Sequence, residues 1–103
     1  MTDANGLQVA DNQAKSRLEV QSEGAVAELV YRRIGNRLVL VHTGVPEALG
    51  GRGIGGRLVQ AAVDIAAASG LTVVPLCPYA RSWLERHPDE AASVSIDWGK
   101  PSG

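Results

Sequence analysis

Glycine stands at positions 50, 51, 53, 55 and 56, within the segment Gly50-Gly51-Arg52-Gly53-Ile54-Gly55-Gly56. From Ile54 onward, Leu58, Ala61, Ala62 and Ile65 recur at helical spacing, so the segment opens a helix. A helix start offers unpaired N–H groups and the positive end of the peptide dipoles. Glycine lets that backbone come close to an anion. The chemistry this implies is phosphate binding, with Arg52 and Arg57 able to add charge at the rim. The alternative is a turn without a ligand. So many glycines at a helix start cost stability without a use, which favours the ligand.

Two common phosphate loops are excluded. The Walker pattern needs Lys and then Ser or Thr after its last glycine, whereas Gly56 is followed by Arg57-Leu58. Gly51, Gly53 and Gly56 do spell Gly-x-Gly-x-x-Gly. The dinucleotide fingerprint also needs an acidic residue at the end of the next strand. That strand ends Leu76-Cys77-Pro78, and 103 residues are too few for a full dinucleotide fold.

Reactive side chains are few. Cys77 is the single cysteine, so no internal disulfide forms, which suits a reducing compartment and a cytoplasmic location. It falls between a strand end and a helix start, where the dipole favours a thiolate. Packing alone would make it a small buried hydrophobe. His42 precedes the glycine loop and is of a type suited to general-base work; otherwise it is a core histidine with a satisfied hydrogen bond. His87 suits helix capping, Trp83 the core, and Tyr79 a channel wall or simple packing. Glu47 is a solvent-facing carboxylate, with a base near an acceptor as the second reading. Two histidines and one cysteine, far apart, make no zinc site.

These residues must be positioned by one small domain over 16–98, with a loose arm over 1–15 and a tail over 99–103. Arg17 to Gln21 alternates polar and apolar, as a half-buried strand does. Glu23-Gly24 turns the chain into a second strand, Ala25 to Arg33, with Ala27, Leu29 and Tyr31 on one face. Gly35-Asn36 fits a hairpin turn. Leu38-Val39-Leu40-Val41 is apolar throughout and reads as a strand covered on both faces. After the loop and its helix, Gly70 suits a left-handed cap. Leu71 to Cys77 reads as another interior strand. Pro78 opens a second helix, and His87-Pro88 closes it. Ser93 to Trp98 is a last short strand. Strand, helix and strand in this order pair in parallel through a right-handed crossover. The fold class is α+β to α/β, a mixed sheet with two main helices.

Prolines add a constraint. Pro46 ends one interior strand and Pro75 lies in the other, and proline cannot donate to a sheet ladder. Pairing between the two strands must lapse there, splaying them into a wedge. A wedge exposes backbone groups that a ligand could satisfy. Composition excludes other partners. Net charge is −1 and Arg32-Arg33 is the longest basic run, which is no footprint of a nucleic-acid binder. No apolar stretch reaches membrane-spanning length, and residues 1–16 lack a signal-peptide core.

Val45-Pro46-Glu47-Ala48-Leu49-Gly50-Gly51-Arg52-Gly53-Ile54-Gly55 resembles the acyl-CoA motif of the GNAT acetyltransferase superfamily, Gln/Arg-x-x-Gly-x-Gly/Ala after a Val-x-Pro strand end. Gly50 stands where that family carries Gln or Arg, so the phosphate contact of that side chain falls to backbone or to Arg52. His42-Thr43-Gly44-Val45-Pro46, Val74-Pro75-Leu76-Cys77-Pro78-Tyr79 and His87-Pro88 together resemble a small GNAT-like subgroup of about this length. The resemblance implies a compact GNAT-like fold with splayed central parallel strands. It implies acetyl-CoA as co-substrate, its pyrophosphate cradled by Gly51, Arg52, Gly53, Ile54, Gly55 and Gly56. Val45 and Tyr79 would line the pantetheine arm in the wedge. It further implies acetyl transfer to an amine acceptor of unread identity. Transfer needs a neutral amine, a donor for the developing oxyanion and a proton for the leaving thiolate. Larger members often use a tyrosine in the last helix as the acid, and no tyrosine follows Tyr79 here. The small subgroup that the chain resembles carries a cysteine at the position of Cys77, near the acyl end of CoA, so Cys77 and His42 are the residues expected to carry the chemistry, with Cys77 either acylated or acting as the acid. The rival expectation is a CoA-binding module without catalysis, since the chain lacks the extra elements that usually build an acceptor pocket.

Overall fold

The computed structural model describes residues 8–99. Five strands form one sheet in the order β1-β2-β3-β4-β5. They are β1 (Val9–Asn12), β2 (Arg17–Ser22), β3 (Ala25–Ile34), β4 (Arg37–Gly44) and β5 (Thr72–Pro75). The first four are antiparallel neighbours, and β5 joins β4 in parallel. The helices are α1 (Ile54–Ser69) between β4 and β5, α2 (Pro78–Arg86) after β5, and a short α3 (Pro88–Ala91). This is the mixed α+β sheet with two main helices that the sequence predicts.

The core lies on one face of the sheet. Leu18 and Val20, Ala27, Leu29 and Tyr31, and Leu38 and Leu40 alternate along their strands and are buried. Against them pack Leu58, Val59, Ala62, Val63 and Ala66 of α1, with Ala80, Trp83 and Leu84 of α2. Gly70 ends α1 in the left-handed region, its N–H bonded to the Ala66 carbonyl. Pro78 opens α2, and His87 ends it before Pro88.

Four expectations change. Residues 9–12 are not a loose arm: they form β1, and Tyr31 Oη donates to Asp11 Oδ1 at 2.6 Å. A strand of four residues at the sheet edge, with one large apolar side chain, carries too little pattern to be read. Residues 1–7 and 100–103 lie outside the described residues, so the arm and tail there stay as expectations. Second, Ser93 to Trp98 gives only a single bridge, Ile96 to Val73, and not a strand. Asp97 is held by Arg37 at 2.6 Å and accepts from the Gly99 N–H, which turns the chain away. Third, β5 lies at the end of the sheet, not in its interior, with only that bridge on its outer side. Fourth, β4 is covered on one face only: Leu38 and Leu40 are buried, while Val41 on its way out of the sheet is 38% exposed.

The register explains both ends of β4. Pairing with β5 runs from Arg37–Thr72 to Leu40–Pro75 and stops there, as the prolines predict. Beyond Leu40, β4 continues beside β3 alone. A bulge separates Tyr31–Leu40 from Val30–His42, leaving Val41 unpaired. A bulge shifts the side-chain alternation by one residue. Leu40 faces the core, and so does Thr43, which pairs with buried Leu29. His42 and Gly44 pair with Val30 and Glu28 on the opposite, outer face.

Candidate acyl-CoA site

The site lies where β4 and β5 part. The amides of Leu76 and Cys77 both donate to the Leu40 carbonyl, at 3.0 and 2.9 Å, and close the base of the wedge. Cys77 is the N-cap residue of α2 and is 3% exposed. Its Sγ lies 3.3 Å from Oγ1 of Thr43, across the opening between the strands. The bulge is what brings Thr43 there.

A cleft of about 390 Å³ runs from Thr43 toward the glycine loop. It is lined by Thr43, Val45 and Pro46 from the end of β4, by Gly51, Gly53 and Gly55 of the loop, and by Tyr79 of α2 among others. That volume falls in the usual range for small-molecule clefts, roughly 300–1,000 Å³. Gly51 and Gly53 have φ of 78° and 69°, a region in which other residues are strained. Gly53 is the N-cap of α1 and has no side chain to cap its first turn. The first hydrogen bond of the helix runs from Arg57 N to Gly53 O. The N–H groups of Ile54, Gly55 and Gly56 precede it, so they have no partner within the helix and suit a phosphate.

Gly55 and Gly56 serve packing as well. A methyl group on Gly55 would lie 2.6 Å from Tyr79 Oη, and one on Gly56 2.6 Å from Trp83 Nε1. These two glycines let α2 close over the start of α1 and set Tyr79 against the cleft. Trp83 is buried and stacks on His87, with ring centroids 4.0 Å apart. His87 Nδ1 donates to the Trp83 carbonyl at 2.7 Å, the capping role its position suggests.

The expected site residues are thus gathered unevenly. Val45, Gly51, Gly53, Ile54, Gly55 and Tyr79 share the cleft wall. Arg52 is turned to Glu23 of the β2–β3 turn and forms an ion pair with it. Glu47 is exposed and lies on the cleft wall. His42 is exposed and on the outer face, so β4 itself stands between it and Cys77. Thr43 had no expected role. Its motif was visible, but only the bulge turns it toward the thiol.

Comparison with known proteins bears on this geometry. Residues 16–94 match the model of the family described as GCN5-related N-acetyl-transferase. The chain belongs to that family. The match lies within the domain expected over 16–98. The chain is 33% identical over 85 residues to the protein NATD1 of Gallus gallus, covering 80% of this chain and 77% of that one. It is 38% identical over 63 residues to NATD1 of Homo sapiens, covering 60% of this chain and 56% of that protein. A GCN5-like protein from Staphylococcus aureus, solved by NMR, superposes with a TM-score of 0.67 at 26% identity. That alignment covers 94% of this chain and 97% of the other. The GNAT-like fold is therefore shown. Among the described residues no helix is long and apolar enough to cross a membrane.

Proposed function

We propose that the chain transfers an acetyl group from acetyl-CoA to an amine. The observation that carries this reading is the Thr43–Cys77 pair, set at the parting of β4 and β5 beside a cradle of free helix amides. The helix start at Gly53 to Gly56 suits the pyrophosphate, and the unpaired edge of β4 up to Val45 suits the pantetheine amides. Tyr79 walls the cleft between them. When bound, acetyl-CoA supplies an activated acyl carbon and a thiolate leaving group.

Cys77 acts in this reading as the proton donor to the departing thiolate. A nucleophilic cysteine is commonly activated by a base beside it. The partner of Sγ is a hydroxyl, and His42 lies across the strand. Thr43 holds the thiol in place and can pass it a proton. The neutral amine nitrogen gains a bond to the acyl carbon, the carbon–sulfur bond breaks, the thiolate takes the Cys77 proton, and the proton lost by the nitrogen passes to solvent, from which Cys77 is reprotonated.

The test is turnover of acetyl-CoA with a panel of amines, together with the intact mass of the protein. Cys77→Ser is expected to lower turnover while calorimetry shows CoA binding unchanged. Undiminished transfer by that variant removes Cys77 from the chemistry. An acetyl group carried on Cys77 makes it the nucleophile instead. CoA binding without transfer to any amine makes the protein a binding module.

A further inference from the structure

The two main helices pack on one face of the sheet, so among the described residues the other face has no layer over it. Along β3 its outward residues are Val26, Glu28, Val30, Arg32 and Ile34, the alternates of buried Ala27, Leu29 and Tyr31. Val26 is 40% exposed and Ile34 58%. Arg17 and Glu19 of β2 and Val39, His42 and Gly44 of β4 share this face through the register.

Those five residues of β3 are ordered symmetrically about Val30. Apolar side chains stand at the centre and at both ends. A carboxylate stands two residues before the centre and a guanidinium two residues after it. Consider a two-fold axis that lies parallel to the face, above Val30 and perpendicular to β3. It brings a second copy onto the face with its β3 reversed. Val26 then meets Ile34, Glu28 meets Arg32, and Val30 meets Val30. An axis along the strand would instead set Glu28 on Glu28 and Arg32 on Arg32, which like charges oppose. Charge therefore selects one of the two orientations. Stacked sheets lie about 10 Å apart with their strands within about 30° of alignment, a spacing that a Glu and an Arg bridge.

Both charges are available for the pairing. Among the described residues Arg32 has no hydrogen bond or ion pair within its own chain. Arg17 Nη1 donates to Glu28 Oε1 at 2.9 Å, and the same guanidinium pairs with Glu19. Two carboxylates thus have one guanidinium between them, and Arg32 of a second copy supplies another. The neighbouring strand fits the same rotation. Val39 lies in the row of Arg32 and Gly44 in the row of Glu28, so Val39 is laid over a position without a side chain. Only Arg17 and His42, in the row of Val30, face their own copies, and each Arg17 is already held by two carboxylates of its own chain.

We propose that the protein is a two-fold dimer in which this face stacks on the same face of a second copy, with Glu28 and Arg32 paired across the interface twice. Two-fold dimers are the commonest closed assembly, and their contact is self-complementary, as the order of β3 is. A partner of different sequence would gain nothing from that symmetry.

The experiment is sedimentation equilibrium of the full chain from micromolar to millimolar concentration. Wild-type protein is expected at twice the chain mass of 10.8 kDa. Arg32→Glu and Glu28→Arg should each weaken the dimer roughly 100-fold, because both symmetric pairs become like-charged. Mixed in equal amounts, the two variants should regain the doubled mass, since each then offers the charge that the other lacks. Val30→Lys sets two ammonium groups at the axis without touching the Arg17 cluster. It should weaken the dimer by a similar factor, and it keeps the test open where Glu28→Arg does not fold. Unchanged Tm confirms the fold of each variant. Wild-type protein that stays at 10.8 kDa at millimolar concentration overturns the dimer and leaves the face to another protein or to solvent. A dimer that survives both Arg32→Glu and Val30→Lys uses a different surface and overturns it as well. So does a mixture of the two folded charge variants that stays monomeric.

Discussion

Gly50 offers the sharpest test of the phosphate cradle, because the fold does not need a glycine there. Its φ of −66° and ψ of 157° are open to any residue. The nearest atom to an added Cβ is the Glu47 carbonyl oxygen at 3.3 Å, a tight contact that a few tenths of an ångström relieve. The residue is exposed and lies on the cleft wall. An arginine placed here can reach a phosphate at the start of α1. A hydrogen bond to a charged group contributes about 1.5–3 kcal/mol. Ordering the long side chain costs about 0.5–1.5 kcal/mol. The net is about 1 kcal/mol, which tightens CoA binding about fivefold. Calorimetry with CoA on Gly50→Arg, Gly50→Gln and Gly50→Ala measures it. The alanine variant isolates the backbone effect, a stabilisation of about 0.4–1 kcal/mol through the unfolded chain. Pantetheine, which has no pyrophosphate, should show no gain, and added salt should shrink the gain with CoA. An arginine variant that binds CoA no better than the alanine variant refutes the placement of the pyrophosphate. So does an equal gain with pantetheine.

Two further perturbations follow from neighbouring contacts. Arg52 pairs with Glu23 across the mouth of the loop, both side chains being largely exposed. Such pairs are worth about 0–1 kcal/mol. Glu23→Gln should free Arg52 for phosphate and tighten CoA binding about two- to fivefold by calorimetry, with Tm nearly unchanged. An unchanged Kd removes Arg52 from the cradle. Toward the β1 edge of the sheet, burial and the Asp11 carboxylate push the Tyr31 hydroxyl up to about 12. The folded state therefore favours protonated tyrosine. That stabilisation is complete below about pH 10, the ordinary tyrosine value, and is lost as pH rises toward about 12. Thermal unfolding followed across this range should show a decline that Tyr31→Phe flattens. Parallel declines in the two proteins refute it.

The glycine-rich start of α1 and the parting of β4 from β5 were legible because they depend on residue type. Glycines crowd a helix start, and prolines break a ladder wherever they fall. The β4 bulge depends on register instead. Leu38-Val39-Leu40-Val41 is apolar throughout, so nothing in it marks Val41 as the unpaired residue. Yet that one residue decides which neighbour meets the thiol. Without it, alternation would put His42 on the face of Leu40 and Cys77. With it, Thr43 takes that place and His42 faces outward opposite Val30. β1 was hidden for a related reason. Its anchor is the bond from Tyr31 to Asp11, twenty residues away in the chain, and no local pattern announces it. The glycines show the same limit at finer grain. Gly51 and Gly53 are needed for their torsions, and Gly55 and Gly56 for the approach of α2. Gly50 is needed for neither. In the sequence all five are one letter. Their separate tasks appear only when the atoms a Cβ would meet are known, and that difference makes Gly50 the position where substitution tests function rather than folding.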